Sequence, residues 1–183
     1  MILGPRRQVR NVSARLSREG DRWQSARIDA RFVNGHEFSL RFGSESEKRA
    51  LSFLSDDLGA TLSLLDVTEN IVGGRVAITG QVSDTAGKRV LRGHVDGDNY
   101  NLIRAPGLAK VLSLSSLNAI GSMLGGSGIP FSTLRGDFAY SEDRLVVENL
   151  LAYGGALGVT ASGHSNWVLT ASISKARSFQ LTR

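Results

Sequence analysis

Cysteine is absent from the 183 residues, which excludes disulfides, thiolate zinc sites and a cysteine nucleophile. The compartment stays open, because an exported protein need not contain cysteine. Histidine occurs three times, at His36, His94 and His164, too far apart for ligand spacing, so no metal site is expected. No Gly-Lys-Ser/Thr follows a glycine loop, and Ser127 lies in a glycine-rich break whose Gly-x-Ser-x-Gly is spoiled by Ile129. The paired acids Asp56 and Asp57 have no partner acid placed across a cleft. Asp96-Gly97-Asp98-Asn99 opens like a calcium loop but has Tyr100 at the fifth position and Gly107 where a bidentate Glu belongs, so a polar turn is the better reading. These absences lead to the expectation of a protein that is not an enzyme and carries no cofactor.

Strongly apolar runs are missing too. Val111 to Thr133 is uncharged and long enough to cross a bilayer, but it is dotted with Ser, Asn and Gly, so no transmembrane segment is expected. Met1 to Arg7 lacks the apolar stretch and cleavage site of an export signal. Proline is scarce, with three residues, and 41% hydrophobic content describes an ordered globular chain.

Charge is unevenly placed. Between Met1 and Phe42 stand nine arginines against four acids, so the whole net charge of +5 sits there. Such an arm could meet nucleic acid or anionic headgroups. Several of these arginines alternate with apolar residues as the wet face of a strand does, and aromatics are rarely interleaved with them, so nucleic acid is the disfavoured partner.

The dominant pattern has period two. Val12, Ala14 and Leu16 alternate with Asn11, Ser13 and Arg15; Ala26, Ile28, Ala30 and Phe32 alternate with Arg27, Asp29 and Arg31; Phe38, Leu40 and Phe42 return after Asn34-Gly35, a tight-turn pair. Arg49 to Leu54 reads as a further short strand. Ser55-Asp56-Asp57 supplies caps for a short helix around 57–65. After Gly73-Gly74, Arg75 to Val82 and Arg89 to Asp96 form a second hairpin, with Val76 and Ile78 inward. Pro106 then opens the main expected helix, around 105–124, with Leu108, Val111, Leu112, Leu117 and Met123 among its apolar positions. Beyond the Gly125-Gly126-Ser127-Gly128 break, a meander carries Phe131, Phe138, Val146, Leu150 and Val159, apolar residues that need cover from water. The fold class expected is mainly β (α+β): a curved antiparallel sheet with one apolar face, that main helix and the short one.

Certain stretches taken in order carry a family resemblance: Ser55-Asp-Asp-x-Gly-Ala, Gly73-Gly74-Arg, Ala105-Pro-Gly-Leu-Ala, Leu112-Ser-Leu-Ser-Ser-Leu, Gly128-Ile-Pro-Phe131 and Tyr153-Gly-Gly-Ala-Leu-Gly-Val-Thr-Ala-Ser-Gly163. Over roughly Gly20 to Gly163 the chain resembles the AsmA-like C-terminal region of the YhdP and TamB group of Gram-negative envelope proteins. That resemblance implies a noncatalytic lipid-transport segment on the periplasmic side of the cell envelope. Its full-length protein would be anchored in the inner membrane and would serve outer membrane biogenesis by conducting phospholipid. On this reading 1–163 is an AsmA-like β-sheet domain, and 164–183 is a divergent tail of a truncated or frame-shifted fragment, ending without a further strand partner. Phospholipid acyl chains are the expected partner, with other envelope proteins as the alternative. The hydrophobic-groove candidates are Phe38, Leu40, Phe42, Val76, Ile78, Phe138 and Val147.

Overall fold

A chain that alternates one apolar and one polar side chain buries one face when extended, and antiparallel pairing of consecutive segments satisfies its backbone with short turns. The computed structural model, which describes residues 8–20, 22–45, 48–85, 88–103, 128–141, 144–155, 158–166 and 180–181, follows this logic. Its strands are β1 (Val9–Glu19), β2 (Arg22–Phe32), β3 (Glu37–Glu45), β4 (Lys48–Ser55), β5 (Ile71–Thr85), β6 (Lys88–Leu102), β7 (Ile129–Ser141), β8 (Arg144–Tyr153), β9 (Gly158–Asn166) and β10 (Gln180–Leu181). They form one antiparallel sheet in strictly sequential order, curved and open, with β1 and β10 at its edges. The fold is mainly β, as the alternation implies. The main helix expected around 105–124, with Leu108, Val111, Leu112, Leu117 and Met123, lies outside the described residues.

The short helix α1 (Leu58–Leu64) stands where the caps place it. Asp57 has extended backbone, and its Oδ1 accepts from the Ala60 N–H at 2.8 Å. Its Oδ2 accepts from Asn34 Nδ2 at 2.6 Å, which ties the β2–β3 turn to the start of the helix. Only Gly35 of the Asn34-Gly35 pair takes a positive φ, and the loop spans four residues, closed by the Phe32 N–H donating to His36 O at 2.7 Å. Asn34 serves both, because its Oδ1 accepts from the His36 N–H at 3.2 Å within the turn while its Nδ2 holds Asp57.

Three sequence expectations need correction. Asp96 to Asn99 is not a turn: the segment lies inside β6, paired with both β5 and β7. Gly73-Gly74 does not precede a strand but sits within β5, both residues at positive φ. The tail after Gly163 is not without a partner, because β9 continues to Asn166 and β10 pairs Gln180 with His164 and Leu181 with Gly163.

The glycine pair has a structural consequence. Gly74 and Asn99, both left-handed, face each other on β5 and β6, and the ladder skips this position and the matching one at Ser132 of β7. Across that crease the apolar pattern slips by one residue. Val95 and Gly97 share a face below it with Leu134 and Phe138; above it the face passes to Tyr100, Leu102, Ile129 and Phe131. A side chain at Gly74 would meet the Asp98 carbonyl at 2.8 Å, so glycine is required there for approach as well as for φ.

The core gathers at the crease, with Val76 below it and Tyr100, Ile129 and Phe131 above. Leu58 of α1 packs with Val76, Tyr100, Ile129 and Phe131, all buried, and Gly59 brings the helix so close to β5 that a Cβ would stand 2.5 Å from the Ile71 carbonyl. The Tyr100 and Phe131 rings stack with centroids 5.3 Å apart. Burial pushes the Tyr100 phenol up to about 12. A phenol whose pKa is raised on folding destabilises the native state only once the unfolded chain ionises. The Tyr100 contribution to stability should therefore be level up to about pH 10 and fall between there and about pH 12. Urea denaturation of Tyr100→Phe against wild type across that range checks this; parallel declines in the two proteins would contradict it.

Candidate functional site

Cross-strand register joins the apolar positions into continuous rows. One runs Ala14, Ile28, Leu40, Phe53, Ile78 and Val95 across β1 to β6. The next runs Leu16, Ala26, Phe42, Leu51, Gly80, Gly93, Phe138 and Val147 across β1 to β8. A third carries Ala30, Phe38, Ser55, Val76, Gly97, Leu134 and Ala152. All seven groove candidates lie on this one face. Phe42, Phe138 and Val147 share a row, Leu40 and Ile78 another, and Phe38 and Val76 the third. Val146, one of the apolar residues expected to need cover, stands opposite Ala139 on the other face.

Their burial differs. Val76 is sealed beneath α1 and belongs to the core, and Ile78 packs against its edge. Phe38, Leu40, Phe42, Phe138 and Val147 are half-buried, as are Leu51, Val82, Leu91, Tyr140 and Leu145 around them. The face is thus roofed at one end among the described residues and left as a shallow trough over the rest. Leu51, Phe53, Leu91, Val95, Leu134 and Tyr140 were missed as lining residues. Their signal was the same alternation, and only the register shows that they share the face.

Glycines on this face keep the trough smooth. A Cβ on Gly93 would strike the Phe138 ring at 2.6 Å, so the ring lies over the neighbouring strand in place of a side chain. The Phe32, Phe38 and Phe53 rings follow one another with centroids 5.1 and 5.9 Å apart, and aromatic pairs at such spacing add to burial.

The opposite face is polar and mostly charge-matched. Arg75 donates to both Asp98 oxygens at 3.1 and 3.0 Å, which raises its pKa, and Arg135 Nε donates to Asp96 Oδ1 at 3.1 Å. His94 Nδ1 lies 2.7 Å from Asp137. These pairs occupy the carboxylates that mimic a calcium loop in the sequence. Among the described residues no group of three or more His, Asp or Glu is arranged to hold a metal ion, and no helix is long and apolar enough to cross a membrane.

A separate cleft of about 520 Å³ opens between the β2–β3 turn, α1 and the start of β5, with Asn34, Asp57, Ser63 and Glu69 among its walls. The Ser63 hydroxyl is buried there with no hydrogen-bond partner among the described residues.

Comparison with protein-family models, with curated proteins and with solved structures found no match.

Proposed function

We propose that this chain is a noncatalytic segment of a cell-envelope protein that shields or conducts phospholipid between the inner and outer membranes, seating acyl chains along the apolar face of the sheet. The observation that carries the reading is the set of three apolar rows, each free of charged residues across adjacent strands, with α1 over one end and Arg49 in the row beyond the other. Burying a methylene there gains about 0.8 kcal/mol, about what it loses on leaving a bilayer. A conduit needs that balance: a surface oily enough to hold a chain and uniform enough not to trap it. The resemblance to the YhdP and TamB group fits this role, with the segment on the periplasmic side and the full-length protein anchored in the inner membrane.

The test is to purify the protein from cells under mild conditions and examine it by native mass spectrometry and lipid extraction. Phospholipid bound in defined stoichiometry is the expected result. Protein free of phospholipid that also takes up none in vitro would defeat the reading.

A second reading, a structural or assembly module for another envelope protein, rests on β1. One side of this edge strand has no partner among the described residues, and Val12 is 56% and Leu16 55% exposed. Edges of this kind accept added strands. Crosslinking from β1 that captures a protein neighbour, in material without lipid, would favour it over the conduit.

A further inference from the structure

On the polar face several arginines are matched to acids: Arg31 with Glu37, Arg41 with Asp29, Arg75 with Asp98 and Arg135 with Asp96. Along one cross-strand row of β1 to β3 the matching is incomplete. Arg15 stands directly opposite Arg27, and Arg27 directly opposite Arg41. Side chains so opposed have Cβ atoms about 4.5–5.5 Å apart, where like charges destabilise a sheet. Arg41 is engaged by Asp29 at 2.7 Å and by the carbonyls of Ile28 at 3.2 Å and Leu40 at 3.1 Å. Arg15 and Arg27 make no ion pair among the described residues.

Beside this row the surface is hollow. Ser25, Gly43 and Ala50 floor a depression of about 550 Å³ walled by the three arginines. Small side chains in the floor let an oxyanion approach the guanidinium groups. Three guanidinium groups in register on adjacent strands span about 10 Å at the spacing of a sheet, enough for two phosphoryl groups or one phospholipid headgroup.

We propose that the Arg15–Arg27–Arg41 row is a binding site for the phosphate groups of an anionic ligand. Bound phosphate supplies the negative charge that the sheet withholds along this row, and the planar fork of arginine matches its oxygens two at a time. Phe42 is the one aromatic residue bordering the depression, and its register with Ala26 and Leu51 assigns its side chain to the apolar face, so the arginine side offers bases nothing to stack on. The site is on the face opposite the apolar trough and stands or falls independently of the conduit.

The test uses the full chain with two probes: tripolyphosphate followed by calorimetric titration, and phosphatidylcholine vesicles with and without phosphatidylglycerol followed by flotation. Wild type should bind at least one probe, more weakly as salt rises. Arg15→Gln or Arg27→Gln should weaken it about fivefold, and the two together about thirtyfold. Arg27→Glu should abolish binding while its melting midpoint stays at or above that of wild type, because the row then alternates in charge; that separates lost binding from lost folding. Binding to vesicles alone identifies a lipid headgroup and binding to tripolyphosphate a soluble phosphate compound, and both support the site. Neither probe binding, variants binding as wild type does, or single-stranded DNA binding in place of both probes would overturn it.

Discussion

Phe131→Ala is expected to lower the free energy of unfolding by about 3–5 kcal/mol, the range for deleting a buried phenyl ring. Phe131 is 4% exposed, packs in one cluster with Leu58, Val76, Tyr100 and Ile129, and lies flat against Tyr100 with 3° between the ring planes. Truncation removes the transfer energy of the ring, leaves a void that backbone on three strands cannot close, and removes an aromatic pair contributing about 0.5–1.5 kcal/mol. Phe138→Ala removes the same atoms from a part of the face that α1 does not cover, where the residue is only half-buried, and should cost less than half as much. Urea denaturation of both variants measures the contrast through the midpoints, provided the slopes agree. Equal costs would mean that the trough is packed as tightly as the core, which the open sheet does not allow.

The second large effect concerns occupancy of the trough. Phe42 and Phe138 lie in one row, away from α1, so carboxylates placed at both by Phe42→Asp and Phe138→Asp would project into the path proposed for acyl chains. An ionised carboxylate facing hydrocarbon is costly to desolvate, and the expected result is at least about tenfold less phospholipid recovered per protein. Because both positions are half-buried, the change in far-ultraviolet circular dichroism should be small. The control is Val146→Asp, on the opposite face, which should retain lipid. Recovery of lipid at wild-type levels from the double variant would remove the trough as the seat of the chains.

Much of the fold was legible because a strand has the simplest periodicity a chain can show. Ala26, Ile28, Ala30 and Phe32 against Arg27, Asp29 and Arg31 specify a two-faced strand with no information from elsewhere in the chain. Asp57 was legible as a cap for the same reason, since the hydrogen bond it accepts from Ala60 spans three residues. Asp96 to Asn99 misled because two acids, a glycine and an asparagine resemble a turn while their neighbours are hidden. Arg75 and Arg135, from the strands on either side, neutralise those acids and allow the segment to remain extended. The irregularities at Asn11, Asn99 and Asn149, all at positive φ within strands, had a signal in the residue type, because asparagine tolerates the left-handed region better than other side chains.

What the sequence determined by itself is therefore local: which residues extend, which face of each strand is oily, where a helix is capped. These follow from side-chain chemistry over a few residues. It takes the folded chain to show that the oily faces of β1 to β9 join into one surface, that the crease through Gly74 and Asn99 turns part of it onto α1 while the rest is only half-buried among the described residues, and that Arg15, Arg27 and Arg41 come side by side. Each of these depends on register between segments far apart in the chain. A slip of one residue in any pairing would send the same side chains to the other face without altering the pattern from which they were read.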